Sequence, residues 1–260
     1  MTPVWLTDTV TNDLDRALHY SLLWGLEGVE LRTVGGVSDQ VPFVNEEKLR
    51  RRLTEHDMPV VAVVPGLFGG LASERAAWLN EIALLEETLA FCRRFGCSRV
   101  VVSAFSEGGA DDTGHAAEAL RRAGEAAARR GVTLTVLNEV DMAHATGTAL
   151  AGLLTAVAHP SVQAAWDPAA AAQAGEDPQA GLQALAGHVG FVRCCNVAAQ
   201  GAGWRPASLH EGIVDWPAQL QTLDDAGYDG PVSLAVHLTP KPKHGLRMAT
   251  ALIKMMRAVR

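Results

Sequence analysis

Residues 99–104 read RVVVSA, residues 115–130 read HAAEALRRAGEAAARR, and residues 133–138 read TLTVLN. The first and third segments are short, apolar and rich in β-branched residues, which is typical of buried strands. The middle segment repeats apolar residues at helical spacing. A strand, a helix and a second strand in this order predict a parallel sheet covered by helices.

The same alternation runs through the whole chain and gives eight strand-helix units. The predicted strands are Val4 to Thr9, Gly28 to Arg32, Pro59 to Pro65, Arg99 to Ala104, Thr133 to Asn138, Val162 to Trp166, Gly190 to Asn196 and Val232 to His237. The predicted helices are Leu14 to Trp24, Glu46 to His56, Ser73 to Phe95, His115 to Arg130, Thr148 to Ala158, Pro178 to Ala186, Trp216 to Ala226 and Leu246 to Val259.

Eight such units are what a closed (β/α)8 TIM barrel of the α/β class requires. The alternative is an open doubly wound sheet, but its dinucleotide motif GxGxxG does not follow the first strand. No Pro/Ser-rich linker divides the chain, so residues 1–260 are expected to form one barrel domain. In this architecture, functional residues lie at the carboxyl ends of the strands.

Composition excludes several classes of protein. The 260 residues are 48% hydrophobic and 20% charged, as in ordinary folded domains, and the net charge of -7 offers no basic surface for nucleic acid. Neither a signal peptide nor a membrane span is evident. The four cysteines lack the spacing of a disulfide framework or a zinc site, so we expect buried thiols and a cytoplasmic location.

Two acids follow neighbouring predicted strands. Glu139 follows the fifth strand, and Asp167 follows the sixth. Two carboxylates at one end of a barrel require a balancing cation nearby. The alternative is that each acid caps the loop or helix that follows it.

Arg193 lies inside the seventh predicted strand. Because side chains alternate along a strand, Arg193 and Cys195 share one face, while Cys194 and Asn196 share the other. A permanently charged guanidinium inside a barrel needs a carboxylate, and Glu139 and Asp167 would suit it. The alternative is that Arg193 points outward to an acid on a helix.

Further candidates lie at other strand ends. His237 ends the eighth predicted strand and is interpreted as a base, a ligand or a loop anchor. The glycine-rich loop from Gln200 to Pro206 carries Trp204 and Arg205, which would suit closure over a polar substrate. Glu30, ending the second strand, is a candidate for substrate binding, and Trp5 could line the same opening.

Together these segments resemble the xylose isomerase-like TIM-barrel superfamily, in its sugar phosphate isomerase/epimerase branch. The resemblance rests on Gly28 to Arg32 (GVELR), on Glu81 to Val102, and most specifically on His210 to Trp216 (HEGIVDW) with Leu223 to Gly230 (LDDAGYDG). It spans nearly the whole chain.

The resemblance also implies a divalent metal with four strand-end ligands, which are Glu, Asp, His and Glu. Glu139 and Asp167 match the first two, but Arg193 and Ala235 stand where the last two are expected. An ion held by two carboxylates beside a guanidinium would bind weakly. We therefore expect no metal cofactor, with Arg193 in its place. The alternative is a remodelled Mn, Mg or Zn site formed by Glu139, Asp167 and His237.

The resemblance implies proton transfer next to the carbonyl of a sugar or keto-sugar, phosphorylated or not. Glu139 would be the base, Arg193 would stabilise the oxyanion, and His237 would be an acid. The alternative is a sugar-binding or regulatory barrel without catalytic activity. A phosphodiesterase of the endonuclease IV type would need more metal ligands and a basic surface. A homo-oligomer is possible by analogy alone.

Overall fold

The computed structural model describes residues 1–36, 39–108 and 112–259 of the chain. Ten strands lie within these residues. They are β1 (Thr2–Leu6), β2 (Val29–Leu31), β3 (Val60–Val63), β4 (Arg99–Ser103), β5 (Thr133–Leu137), β6 (Val162–Trp166), β7 (Val189–Cys194), β8 (Val197–Gln200), β9 (Gly203–Pro206) and β10 (Pro231–Leu234).

Eight of the strands form one closed barrel in the order β1-β10-β7-β6-β5-β4-β3-β2. Neighbouring strands run parallel, as in the pairing of Val101 with Thr135 between β4 and β5. Closure leaves none of these eight strands with an unpaired edge. The predicted (β/α)8 barrel is therefore confirmed.

Helices follow the barrel strands. Those within the described residues are α1 (Leu14–Trp24), α2 (Glu46–Glu55), α3 (Arg75–Phe95), α4 (Asp112–Arg129), α5 (Gly147–Val157), α6 (Pro168–Gln173), α7 (Pro178–Ala184), α8 (Trp216–Asp225) and α9 (Lys241–Ala258).

Short-range signals in the sequence set several helix ends. Gly25 ends α1 with φ 72° and Gly96 ends α3 with φ 66°, the left-handed conformation that glycine adopts without strain. Asp177 and Asp215 cap α7 and α8 by accepting hydrogen bonds from backbone N–H groups three residues on.

The prediction was wrong at the end of the first strand. Val4 to Thr9 was expected to be one strand, but β1 ends at Leu6 and Thr7–Thr9 form a 3₁₀ turn. The Thr9 hydroxyl donates to the Leu6 carbonyl oxygen at 2.7 Å, which closes the turn. A hydroxyl that bonds locally in this way competes with strand pairing.

One hairpin and one helix were not predicted. Residues 197–206 form an antiparallel hairpin of β8 and β9, where a loop was expected over Gln200 to Pro206. Helix α6 follows Asp167 and begins with Pro168. The Asp-Pro pair that marks the start of α7 occurs here too, so the same signal would have found α6.

The chain divides into two compact units, Met1–Val61 with Val192–Arg260, and Ala62–Phe191. The first unit buries large side chains that include Trp5, Trp216 and Leu18. The Trp5 indole donates to the Ser21 hydroxyl at 2.7 Å and packs edge-on against Trp24. Trp5 is therefore a fully buried core residue, which contradicts the idea that it lines the opening.

The second unit has its own core. Ala62, Val101, Leu137, Ala165 and Phe191 form one buried cluster. All four cysteines of the chain are buried, as expected, and none of them forms a disulfide. No helix in the described residues combines the length and the apolar character needed to cross a bilayer.

Candidate functional site

Asn138 ties the ends of β5 and β6 together in the unit 62–191. Its buried side chain accepts from the Asp167 backbone N–H at 2.7 Å and donates to the Asp167 carbonyl oxygen at 2.9 Å. The same amide nitrogen donates to the Ala145 carbonyl oxygen at 3.0 Å, which also fixes the loop after β5. Asn138 therefore positions both strand-end acids, a role that the sequence reasoning missed.

Glu139 follows Asn138 directly and is partly exposed. Its Oε2 atom is buried, and it has no hydrogen-bond partner among the residues that the structure describes. A buried carboxylate oxygen without a partner is costly, because its desolvation is not compensated. Such an atom is available to a group from outside the chain.

Asp167 is partly buried and caps α6. Its Oδ1 atom accepts from the backbone N–H groups of Ala169 at 2.9 Å and Ala170 at 3.1 Å. The capping alternative that the sequence left open is thus correct for this oxygen. A role for Asp167 in substrate binding stays a prediction.

His144 has a structural position in the loop after β5. Its ring Nδ1 lies 3.1 Å from the Ala104 carbonyl oxygen, and the side chain is buried. This contact joins the loop to the end of β4.

Arg193 and Glu30 form a buried ion pair in the other unit. Arg193 Nη2 donates to Glu30 Oε1 at 2.5 Å, and their side chains are 5% and 0% exposed. The Ser233 hydroxyl donates to the second carboxylate oxygen, also at 2.5 Å. Ser233 pairs with Arg193 across the β7–β10 ladder, so the backbone register brings the donors together.

The observed position of Arg193 decides between the inward and the outward orientation that the sequence left open. The side chain is buried and meets a strand residue, so the alternative of an outward position is wrong. Its partner in the ion pair is Glu30. The role in substrate binding that the sequence predicted for Glu30 stays a prediction. Pairing of Arg193 with Glu139 and Asp167 also stays a prediction.

The pKa of Glu30 is raised above its ordinary value. Complete burial is the dominant cause, since it disfavours the charged form. The guanidinium of Arg193 and the Ser233 hydroxyl act in the opposite direction without cancelling the rise.

A second carboxylate-guanidinium pair lies in the same unit, and sequence reasoning did not identify it. Arg32 Nε donates to Asp8 Oδ2 at 2.8 Å and Nη2 donates to Oδ1 at 3.0 Å, a bidentate geometry. The Thr33 hydroxyl also donates to Asp8, at 3.1 Å. The available signal was that Asp8 and Arg32 each lie at the carboxyl end of a predicted apolar strand.

His237 lies three residues beyond β10 and is exposed. Its pKa is lowered, first because partial burial of the ring disfavours the charged form. The positive charges of Arg193, Lys241 and Arg32 lower it further. The imidazole is therefore biased toward its neutral form.

The hairpin carries Trp204 and Arg205 on β9. Trp204 is partly exposed and Arg205 is exposed. The hairpin is attached at its base by the buried Asn196, whose amide donates to the carbonyl oxygens of Leu209 and Val214. Both candidates thus lie on an ordered strand rather than on a free loop, and their substrate-binding role stays a prediction.

The comparison with known families agrees with this architecture. A family model described as "xylose isomerase-like TIM barrel" matches residues 20–258, and the chain belongs to that family. No curated protein matches the sequence.

Solved structures with the same fold are distant in sequence. An L-ribulose 3-epimerase superposes with TM-score 0.78 at 17% identity, covering 100% of this chain and 95% of that one. A D-allulose 3-epimerase from Methylomonas sp., in complex with D-allulose, gives 0.78 at 14%, covering 100% and 97%. The probable 3-DHS dehydratase AsbF from Bacillus anthracis gives 0.80 at 17%, covering 99% of each chain. At these low sequence identities, the similarity shows a shared fold and nothing more.

The residues present do not fit the divalent metal that the family resemblance implies. No group of three or more His, Cys, Asp or Glu side chains suited to an ion occurs within residues 1–36, 39–108 and 112–259. Where the third and fourth ligands are expected, Arg193 carries a fixed positive charge and is paired with Glu30, and Ala235 has no donor atom. Glu139, Asp167 and His237 do not form such a group in the part of the chain that the structure describes, and a remodelled site stays a prediction.

Proposed function

We propose that this protein is a sugar or sugar phosphate isomerase/epimerase that moves a proton next to a carbonyl without a metal ion. The observation that carries the proposal is Glu139, a strand-end carboxylate with one buried oxygen that has no partner among the described residues. Family membership supports it, because the relatives of known fold include sugar epimerases. In (β/α)8 enzymes, catalytic residues come from the carboxyl ends of the strands.

In the proposed reaction, Glu139 removes the proton from the carbon next to the carbonyl. The C–H electron pair becomes the double bond of an enediolate, and the carbonyl oxygen takes the negative charge. Arg193 stabilises that oxyanion. Glu139 then returns the proton to the former carbonyl carbon while the proton of the neighbouring hydroxyl passes to the oxyanion, so that aldose and ketose interconvert.

His237 is proposed as the group that donates a hydrogen bond or proton to the developing oxyanion. Its lowered pKa keeps the imidazole neutral near pH 7. A neutral imidazole N–H can polarise a carbonyl without the proton being lost to solvent.

We further propose that Asp167, Trp204 and Arg205 contact the sugar. A carboxylate and a guanidinium bind hydroxyl and anionic groups, and an indole covers the apolar face of a sugar ring. Trp204 is partly exposed and Arg205 is exposed, which is compatible with contact to a ligand.

The proposal is tested by proton exchange in deuterated water. The wild-type protein is incubated with a panel of ketoses, aldoses and keto acids, and deuterium at the carbon next to the carbonyl is measured by NMR. We expect incorporation with one class of sugar, and Glu139→Gln should reduce its rate about 10²- to 10⁴-fold, because the base is lost.

The matched control is Glu125→Gln, an exposed carboxylate on α4, which should exchange at the wild-type rate. Full activity in Glu139→Gln would remove Glu139 as the base. Binding of a sugar without any exchange would instead favour a sugar-binding or regulatory barrel.

A further inference from the structure

An arginine-lined cavity lies between the ends of two neighbouring helices in the unit 62–191. Its volume is about 300 Å³, and it is lined by Ala90, Arg93 and Arg94 of α3 and by Arg130, which follows α4. No acidic side chain is among the described residues that line it. Three arginines therefore border one small space, although the chain as a whole has a net charge of -7.

The cavity lies at the end of the barrel strands that is opposite to Glu139. Helix α3 ends at Phe95, shortly before β4 begins at Arg99, and α4 ends at Arg129, shortly before β5 begins at Thr133. Glu139 follows the other end of β5, whose five residues span roughly 16 Å. The cavity is therefore separate from the strand-end acids.

The carboxylate beside the cavity leaves several arginine donors unused. Glu86 Oε1 accepts from Arg129 Nη2 at 3.1 Å, and Oε2 accepts from Arg130 Nη2 at 3.3 Å. The Nε and Nη1 atoms of Arg130 have no hydrogen-bond partner within residues 1–36, 39–108 and 112–259. Arg93 is exposed and forms no ion pair with any residue that the structure describes. Donors on both sides of the cavity can therefore bind a ligand.

Compensation of the helix dipoles explains these arginines only in part. Cations in the last turn stabilise the carboxyl end of a helix, and Arg93, Arg94 and Arg129 occupy the last turns of α3 and α4. That effect does not require the cations to converge on one cavity. Converging like charges repel one another, and a bound anion removes the repulsion.

We propose that this cavity binds a small molecule with two linked phosphoryl groups, as a ligand distinct from the sugar. An arginine fork donates two parallel hydrogen bonds to a phosphate. One phosphoryl group offers about three acceptor oxygens, which serve one fork and part of a second. Two linked groups can serve Arg93 on one side and Arg130 on the other. Inorganic pyrophosphate and a nucleoside diphosphate share this chemistry.

The test is isothermal titration calorimetry on the wild-type protein without divalent ions. The probes are inorganic phosphate, inorganic pyrophosphate and ADP, at one ionic strength set with sodium chloride. We expect at least one diphosphate probe to bind saturably, at least tenfold more tightly than phosphate, and to raise the thermal midpoint. Tighter binding of ADP identifies a nucleoside diphosphate, and tighter binding of pyrophosphate identifies the free diphosphate.

The variants Arg93→Gln and Arg247→Gln separate a specific contact from general charge. Both arginines are exposed on helices, and neither has an ion pair in the part of the chain that the structure describes. Both variants should therefore fold, which the thermal midpoint without ligand checks. Arg93→Gln should weaken binding of the diphosphate about tenfold, the effect of losing one charge-assisted contact. Arg247→Gln, and Arg205→Gln in the hairpin, should bind it as the wild type does.

Three outcomes would overturn the inference: neither diphosphate probe binds, phosphate binds as tightly as both of them, or Arg93→Gln and Arg247→Gln behave alike. Weaker binding in Arg205→Gln but not in Arg93→Gln would move the anion to the hairpin and overturn it as well. The proposed reaction is measured with sugars and no diphosphate, so failure of one proposal leaves the other standing.

Discussion

Arg193 is a permanently charged side chain near the carboxyl end of strand β7, and its surroundings must compensate its burial. Glu30 supplies the opposite charge, and Ser233 satisfies the second carboxylate oxygen. Taking two ions out of water costs several kcal/mol each, and the pair offsets this only while both partners are present. The network therefore makes each member depend on the others.

Replacing Arg193 by Met should destabilise the protein by about 3–5 kcal/mol, because it leaves the Glu30 carboxylate buried without its cation. Urea unfolding at pH 7 measures the loss. The double variant Glu30→Gln with Arg193→Met removes both charges and should recover a large part of it. Arg16→Met, an exposed arginine of α1, is the matched control. A double variant less stable than Arg193→Met would contradict the account.

The destabilisation caused by Arg193→Met should depend on pH. Burial raises the pKa of Glu30 in the folded chain. A raised folded pKa means that the stability contributed by this carboxyl is complete below its unfolded pKa and is lost as the pH rises through the folded value. Arg193→Met removes a charge that lowers this pKa, so its destabilisation should be smaller at pH 5 than at pH 7. Equal losses at the two pH values would exclude this cause.

At the scale of elements, the contact between α5 and α7 depends on two glycines. A Cβ atom on Gly147, the first residue of α5, would collide with the backbone carbonyl of Gly181 in α7. Glu176 accepts from the backbone N–H groups of Gly147 and Thr148, which fixes the start of α5 on the segment before α7. Backbone atoms held in this way cannot move aside as a flexible side chain would.

Gly147→Ala should therefore lower the free energy of unfolding by roughly 1–3 kcal/mol, the usual cost of overpacking. Gly152→Ala in the same helix is the control, because a Cβ there meets nothing within 4 Å. The control should be neutral or more stable by about 0.5–1 kcal/mol, since alanine is the better helix former. Urea unfolding of both variants measures the difference. If both variants lost the same free energy of unfolding, the close approach of Gly147 to Gly181 would not be the cause.

At the scale of the whole molecule, the closed barrel of this family does not by itself provide a metal site. The side chains at the ligand positions decide whether a metal ion binds. In this chain, two of the four positions that the resemblance implies carry no metal ligand. Replacement of a bound ion by the Arg193 guanidinium stays a prediction.

We expect the purified protein to contain much less than one divalent ion per chain. Elemental analysis by mass spectrometry gives the ion content, and chelation with EDTA should leave the thermal midpoint unchanged. A metal-loaded (β/α)8 epimerase treated in parallel is the control for the chelation step. A stoichiometric ion in this protein would restore the site of Glu139, Asp167 and His237.

Much of the fold and part of the candidate site were predictable, because they depend on residues that are close together in the sequence. The apolar run from Val100 to Val102 pairs as a buried strand, and Gly25 and Gly96 end helices because of their own backbone freedom. Glu139 was found as a candidate in the same way, from its place after a strand. The hairpin was missed because its strands are short and largely exposed, so they lack a hydrophobic pattern.

The sequence by itself determined the number and order of the barrel strands, their helices and which polar residues follow them, since these depend on periodicity and on caps within a few residues. Only the tertiary structure decided that Arg193 meets Glu30, 163 residues away, and that Arg32 meets Asp8. Opposite charges attract at any sequence separation, so composition offers many equivalent partners. The register of β10 against β7, and the position of β2 beside β1, select among them.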